Sequence, residues 1–259
     1  MRAIILAAGR GSRMGTMTAK QPKCLTKLAG RTLLEWQVAA LRGAGVDEIG
    51  IVRGYRKELL PDALHPFDNE RWQETNMVAS LRCASEWLSS SPCIVSYSDI
   101  VFAPETIRLL MASSAPIAIS YNTEWRRLWE SRLDEPLADA ETFAVDTTGR
   151  VTDIGRRPQS MDEVQGQYMG LLKFEPAAWV QIEAYLEALA PAEVDRLDMT
   201  NLLQRLIASG LRVQGIPVPG MWYEIDTESD WALCEQEIAA QGDQHWLPIN
   251  FPTSLSIKQ

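Results

Sequence analysis

Arg2–Ala7 is a short apolar run with adjacent isoleucines, and it passes directly into a loop with glycine at 9 and 11. Such a run reads as a buried strand. Over residues 8–30 the chain shows no apolar periodicity and is rich in glycine and lysine. A glycine loop after the first strand is where α/β proteins place phosphates. Charge supports that position. Residues 1–34 carry Arg2, Arg10, Arg13, Lys20, Lys23, Lys27 and Arg31 and no acid. The other 225 residues carry 18 basic and 34 acidic groups, so the net −9 divides into +7 and −16. An acidic protein with a basic opening loop is expected to hold an anion there.

Composition excludes several classes. With 46% hydrophobic and 23% charged residues, the 259-residue chain can bury one large core, or one core plus a small second lobe. It holds no run of 18 apolar residues to cross a membrane. The opening apolar run is too short for a signal-peptide core, so a cytoplasmic location is expected. Cys24, Cys83, Cys93 and Cys234 lack CxxC spacing, which speaks against a zinc site or a disulfide framework. The acidic balance speaks against nucleic acid as a partner.

Periodicity alternates through the first half. It predicts a helix over 33–44, a strand over 48–52 and a helix over 77–88 capped by Thr75 or Asn76. A strand at Cys93–Tyr97, a helix over 105–111 and a strand over 117–121 follow. This rhythm implies a parallel sheet with helices on both faces. Later, Phe143–Val145 and Val151–Ile154 flank a Thr-Thr-Gly turn and read as an antiparallel hairpin. Further strands are expected at Gln167–Phe174, 211–218 and 222–225, and helices at 177–189, Met199–Ala208 and 229–240. One domain over 1–240 is expected, with a tail of unknown role at 241–259.

Two standard phosphate loops fail. A dinucleotide fingerprint needs a third glycine where Met14 stands, and the Gly-Lys-Ser/Thr of a Walker loop is absent. Small residues at 7, 8, 9, 11 and 12 nevertheless let backbone N–H groups approach an anion or a base edge. Arg13 offers a planar fork for polyphosphate oxygens and Lys23 a point charge, with Pro22 stiffening the backbone beside it. Asp99 and Asp226 each follow a strand, where metal ligands are expected. Either alone is more often a helix N-cap than a ligand, but two carboxylates suit Mg²⁺, which takes few protein ligands. Glu224 is a candidate to support the metal or touch substrate, and Asp230 reads as first-turn helix chemistry.

Leu6-Ala7-Ala8-Gly9-Arg10-Gly11-Ser12-Arg13-Met14 with Pro22-Lys23 resembles the signature of the nucleotidyltransferase (nucleoside-diphosphate-sugar pyrophosphorylase-like) superfamily. The resemblance implies a GT-A-like, Rossmann-like fold: a mixed, mainly parallel sheet, helices on both faces and an antiparallel extension. It implies that Leu6, Ala7, Ala8, Gly9, Gly11 and Ser12 wrap a nucleoside triphosphate. Arg13 would bind the leaving phosphates, Lys23 the α-phosphate and the attacking group, and Asp99 and Asp226 the Mg²⁺. In the implied reaction an acceptor oxygen attacks the α-phosphorus in line and pyrophosphate leaves. The attacking anion needs no general base, so positioning and charge neutralisation carry the chemistry.

Finer motifs point to a subgroup. The stretch from Trp72 to Leu81 resembles phosphocholine and aminoethylphosphonate cytidylyltransferases. Thr75-Asn76-Met77-Val78, Asp139-Ala140-Glu141-Thr142, Gln167-Tyr168-Met169-Gly170 and Met199-Thr200 resemble capsule-pathway CTP:phosphoglutamine cytidylyltransferases. This implies CTP, with Thr75, Asn76 and Ser80 reading the pyrimidine edge; helix capping is their structural alternative. It implies a small phosphorylated or phosphonate acceptor and a CDP- or CMP-linked product for surface polysaccharide or lipid. Glu141, Arg157, Tyr168, Trp129, Trp222 and Glu224 are the acceptor candidates, with Trp125 a further aromatic. The competing reading is a sugar-1-phosphate nucleotidyltransferase. Its members carry Glu-Lys-Pro and Asn-x-Gly segments, where this chain has Arg156 and Tyr168. A non-enzymatic nucleotide-binding module would not need Lys23, Asp99 or Asp226. A monomer or a homodimer is equally compatible.

Overall fold

The structure is a computed structural model that describes residues 1–220 and 222–241. Strand β1 (Arg2–Ala7), a β2–β3 hairpin (Lys27–Leu28, Arg31–Thr32), helix α1 (Leu33–Gly43) and strands β4 (Glu48–Arg53) and β5 (His65–Asp68) come first. Helices α2 (Met77–Arg82) and α3 (Ser85–Ser90) lead into β6 (Cys93–Tyr97) and β7 (Ile100–Phe102). Helix α4 (Pro104–Ala112), β8 (Ile117–Asn122) and α5 (Trp125–Arg132) follow. The second half holds β9 (Phe143–Val145), β10 (Val151–Ile154), β11 (Gln167–Phe174), α6 (Pro176–Glu187), α7 (Pro191–Val194) and α8 (Met199–Ala208). It ends with β12 (Val213–Val218), β13 (Trp222–Glu224) and α9 (Glu228–Gln241). From residue 242 on, the expected tail lies outside the described residues, and no described helix is long and apolar enough to cross a membrane.

Seven strands form the central sheet in the order β12-β8-β11-β6-β1-β4-β5. Six run the same way, and β11 alone is antiparallel, wedged between β6 and β8. Helices cover both faces, so β1 must be apolar on both. Its Ala3, Ile5 and Ala7 enter one core with α1, α4 and α9, and its Ile4 and Leu6 enter the other with α2, α3, α6 and α8. That two-sided burial is why the opening run lacks polar alternation. Helix α1 starts at a capping box in which Thr32 and Glu35 satisfy each other's backbone N–H.

Topology sets the place of the site. The chain leaves β1 for β4 on one side and returns to β6 on the other. The carboxyl ends of β1 and β6 therefore open a crevice at the switch point, where ligands of open α/β sheets bind.

The expected architecture is present, with corrections of detail. The antiparallel character lies inside the sheet, in β11, as well as in the β9–β10 hairpin. The helix expected over 77–88 is two: α2 tightens at its end, where Cys83 and Ala84 donate to carbonyls three residues back, and Ala84 leaves helical geometry. No proline or glycine marks that break. Strands β5 and β7 and helix α5 were not expected. Yet α5 carries a signal, because Trp125, Leu128 and Trp129 are its buried face among charged neighbours.

Candidate active site

The glycine loop and the turn after β6 face each other across the crevice. Gly11 adopts φ +71°, and a Cβ there would lie 2.7 Å from Lys23 Cδ. Glycine at 11 thus lets the Lys23 stem lie flat against the loop. The turn carrying Asp99 is held by buried Gln37 of α1, whose Nε2 donates to the carbonyls of Tyr97 and Ile100, both at 2.9 Å.

Asp226 reaches the same point from 127 positions away through a two-stranded ribbon. β13 pairs antiparallel with β7, matching Glu224 to Ile100, and the Ile225 N–H donates to the Asp99 carbonyl at 2.9 Å. Asp230 of α9 fixes the next turn, its Oδ2 accepting from the backbone N–H groups of Asp226 and Thr227. Its other oxygen pairs with buried Arg132 at 2.7 Å. Asp230 is therefore more than first-turn chemistry: it orients the loop of Asp226.

At the centre, Lys23 is only 5% exposed and bridges Asp99 Oδ2 at 2.8 Å and Asp226 Oδ1 at 2.5 Å. Arg13 pairs with the other Asp226 oxygen at 2.9 Å. Burial works against the Lys23 charge, but the two carboxylates outweigh it and raise its pKa. Glu224 lies beside them. Burial first, then the Asp226 and Asp99 charges, push its pKa up to about 8.

One carboxylate oxygen each of Asp99, Glu224 and Asp226 falls within 4.8 Å of the others. Asp99 Oδ1 is buried and has no hydrogen-bond partner among the described residues. An all-oxygen set with an unsatisfied buried acceptor suits a hard divalent cation.

Two clefts meet at this centre. One, with about 650 Å³ of empty space, is lined by Leu6, Ala8, Gly9, Gly11, Lys23, Thr75, Asn76, Ser80 and Asp99 among the expected residues. Trp72, Met77, Tyr97 and Ser98 complete it. Ala7 instead points into the core, and exposed Ser12 opens the turn beyond the loop. Asn76 caps α2 through Oδ1, which accepts from the Met77 N–H at 2.8 Å, so its capping role is present. The second cleft is lined by Arg13, Trp129, Glu141, Tyr168, Glu224 and Asp226. Asp139, Asp198, Met77 and Tyr97 also face it. Tyr97 turns edge-on to Tyr168, and it packs against Gly170, where φ is +72° and a Cβ would sit 2.8 Å from the ring.

Glu141 has no ion-pair partner among the described residues. Burial, then the charges of Asp198 and Asp139, raise its pKa to about 7. The Trp129 Nε1–H lacks a partner among the described residues.

Three acceptor candidates lie elsewhere. Trp222 is 2% exposed, donates from Nε1 to the Met169 carbonyl at 3.1 Å and stacks behind Trp129. It supports the wall without being the wall. Trp125 stays in the core. Arg157 is exposed in a separate surface groove with Pro136 and Met161. Neighbouring Arg156 pairs with Asp153 at the surface. Neither guanidinium lines the two clefts, Arg157 lying in that groove and Arg156 being held by Asp153.

An α/β sheet whose switch-point crevice joins a glycine loop, a buried lysine and paired aspartates defines a nucleotidyl-transfer enzyme. The chain belongs to the MobA-like NTP transferase domain family, which it matches over residues 3–197. It is 33% identical over 247 residues to a CTP:phosphoglutamine cytidylyltransferase of Campylobacter jejuni, covering 89% of this chain and 97% of that one. It is 30% identical over 252 residues to a CMP-5'-(3-aminopropyl)phosphonate synthase of Streptomyces rubellomurinus, covering 89% of this chain and 37% of that one. The fold also matches an inositol-1-phosphate CTP transferase from T. maritima, with TM-score 0.71, 20% identity and coverage of 92% and 96%.

Proposed function

We propose that the protein is a cytidylyltransferase that moves CMP from CTP to a small acceptor bearing a phosphate or phosphonate and, at its other end, an ammonium group. The carrying observation is the Lys23–Asp99–Asp226 centre where the two clefts meet. CTP occupies the glycine-loop cleft, with its base toward Ser80 and its phosphates toward Lys23 and Arg13. The acceptor occupies the acidic cleft with its anion toward the centre. Its oxygen attacks the α-phosphorus, the new P–O bond forms as the bond to pyrophosphate breaks, and pyrophosphate leaves. Lys23 shifts from its carboxylates to the charge developing on the α-phosphate, and Arg13 follows the pyrophosphate. Asp99, Asp226 and Glu224 are the residues to hold Mg²⁺, which when bound would neutralise phosphate charge.

Support for CTP comes from the relatives named above and from the hydroxyls of Thr75 and Ser80. Support for an amine comes from Asp139, Glu141 and Asp198 beside the Tyr97, Tyr168 and Trp129 rings, a setting for a cation. The product is a CDP- or CMP-linked group suited to decorating surface polysaccharide, such as capsule, or lipid, made in the cytoplasm.

A pyrophosphate-release assay with Mg²⁺ tests this. Four nucleoside triphosphates are crossed with phosphocholine, aminoethylphosphonate, phosphoglutamine, glycerol phosphate and several sugar phosphates. Release with CTP and an amine-bearing acceptor is expected. Release only with UTP and a sugar phosphate overturns the proposal.

A further inference from the structure

Asn69 stands just past β5, outside every motif, and is 6% exposed. Its Oδ1 accepts from the Arg71 backbone N–H at 3.0 Å. A backbone N–H can only donate, so this bond fixes which end of the amide is which. Nδ2 therefore faces inward, and it donates to Thr75 Oγ1 at 2.9 Å and to Ser80 Oγ at 3.0 Å. Both hydroxyl oxygens are thereby acceptors, and each proton must go elsewhere. Thr75 sends its proton to the Arg71 carbonyl at 2.9 Å. Among the described residues Ser80 finds only the Asn76 carbonyl, at a long 3.4 Å, and Ser80 lines the glycine-loop cleft. Its O–H is a nearly unspent donor at a wall of that cleft.

We propose that Asn69 is a positioning residue for base choice: it fixes Ser80 as a donor toward the cleft, and Ser80 reads the N3 edge of the base. Cytosine N3 is an acceptor, whereas uracil N3 carries a hydrogen. A fixed donor there favours CTP over UTP. The inference rests on the placement of the base given above. A carboxylate at position 69 has no N–H to give. It would accept from the Ser80 hydroxyl and turn the Ser80 lone pairs toward the base, the arrangement that suits uracil.

The test measures kcat and KM for CTP and UTP with a saturating acceptor. Asn69→Asp should lower the CTP:UTP ratio of kcat/KM by at least about tenfold, mostly through KM, with the acceptor KM unchanged. Ser80→Ala should lower the ratio too, and Asn69→Asp added to it should change nothing more. If Asn69→Asp does not fold, Asn69→Ser is read by direct binding of CMP against UMP and should bring their affinities together. Wild-type protein that prefers CTP, with Asn69→Asp or Asn69→Ser keeping that preference within about twofold, overturns this inference alone. Wild-type protein with no preference for CTP overturns the base placement and this inference with it.

Discussion

The two clefts solve opposite problems with opposite materials. Beside Trp72, Met77 and Tyr97, the nucleotide side uses small residues and hydroxyls from the first 99 positions, and the buried Lys23 cation that lines it is already matched by Asp99 and Asp226. The acceptor side collects side chains from position 13 to 226, and among the described residues its Arg13 cation pairs with Asp226 and leaves Glu141 without an ion-pair partner. A triphosphate is the same in every nucleotide, so rigid shape recognises it. An acceptor is distinguished by its far end, so unmatched side-chain charge recognises that. The cost of leaving such charge buried shows in the raised Glu141 pKa.

The sharpest way to break this contrast is at the shared centre. Lys23→Ala should reduce single-turnover pyrophosphate release by about 10³-fold or more while the far-ultraviolet circular dichroism stays native. Turnover near wild type would remove Lys23 from the chemistry. Next is the acceptor side alone. Glu141→Gln should raise KM for aminoethylphosphonate by about thirtyfold and leave KM for CTP and for a neutral alkyl phosphonate nearly unchanged. An equal change for both acceptors would mean that Glu141 does not read charge.

A smaller effect concerns pH. Glu141 ionises through about 7, so preference for the amine over the neutral acceptor should rise by up to about tenfold from pH 6 to pH 8. The ammonium acidifies its own phosphonate, so each KM is taken for the dianion, using that acceptor's own phosphonate pKa. The same shift has a stability sign. The folded pKa of about 7 is above the ordinary 4.5, so the folded carboxyl holds its proton longer, and stability falls as pH rises from about 4.5 to about 7. Glu141→Gln should therefore melt higher than wild type at pH 8, with the gap narrowing below pH 7 and closing only below about pH 4. Least of all, Arg157→Ala should change every kinetic constant by less than about twofold, since its side chain lies in another groove. A larger change would extend the acceptor side beyond the cleft described here.

Legibility follows the same division. The strand–glycine loop was readable because its residues are contiguous and glycine, arginine and lysine there answer to one ligand. The sheet was readable because two-sided burial leaves unbroken apolar runs. The nucleotide cleft also gained Trp72, Met77, Tyr97 and Ser98, which sit inside or beside the motif segments but were not singled out as contacts. Arg157 and Trp222 looked like acceptor contacts because they sit near motif segments. The fold places Arg157 in another groove and Trp222 behind Trp129. Asn69 and Asp230 act through hydrogen bonds to other residues, and such roles leave no pattern in a single chain.

By itself, the sequence determined the α/β rhythm, the basic loop and the residue types able to bind phosphate and metal, because each depends on neighbours in the chain. Only the tertiary structure decided that Asp226 stands beside Asp99, since the β7–β13 ribbon and the Ile225–Asp99 hydrogen bond join segments 127 positions apart. It also decided which acids face one cleft. Non-local pairing sets both, because a carboxylate's partner and burial depend on where the chain returns.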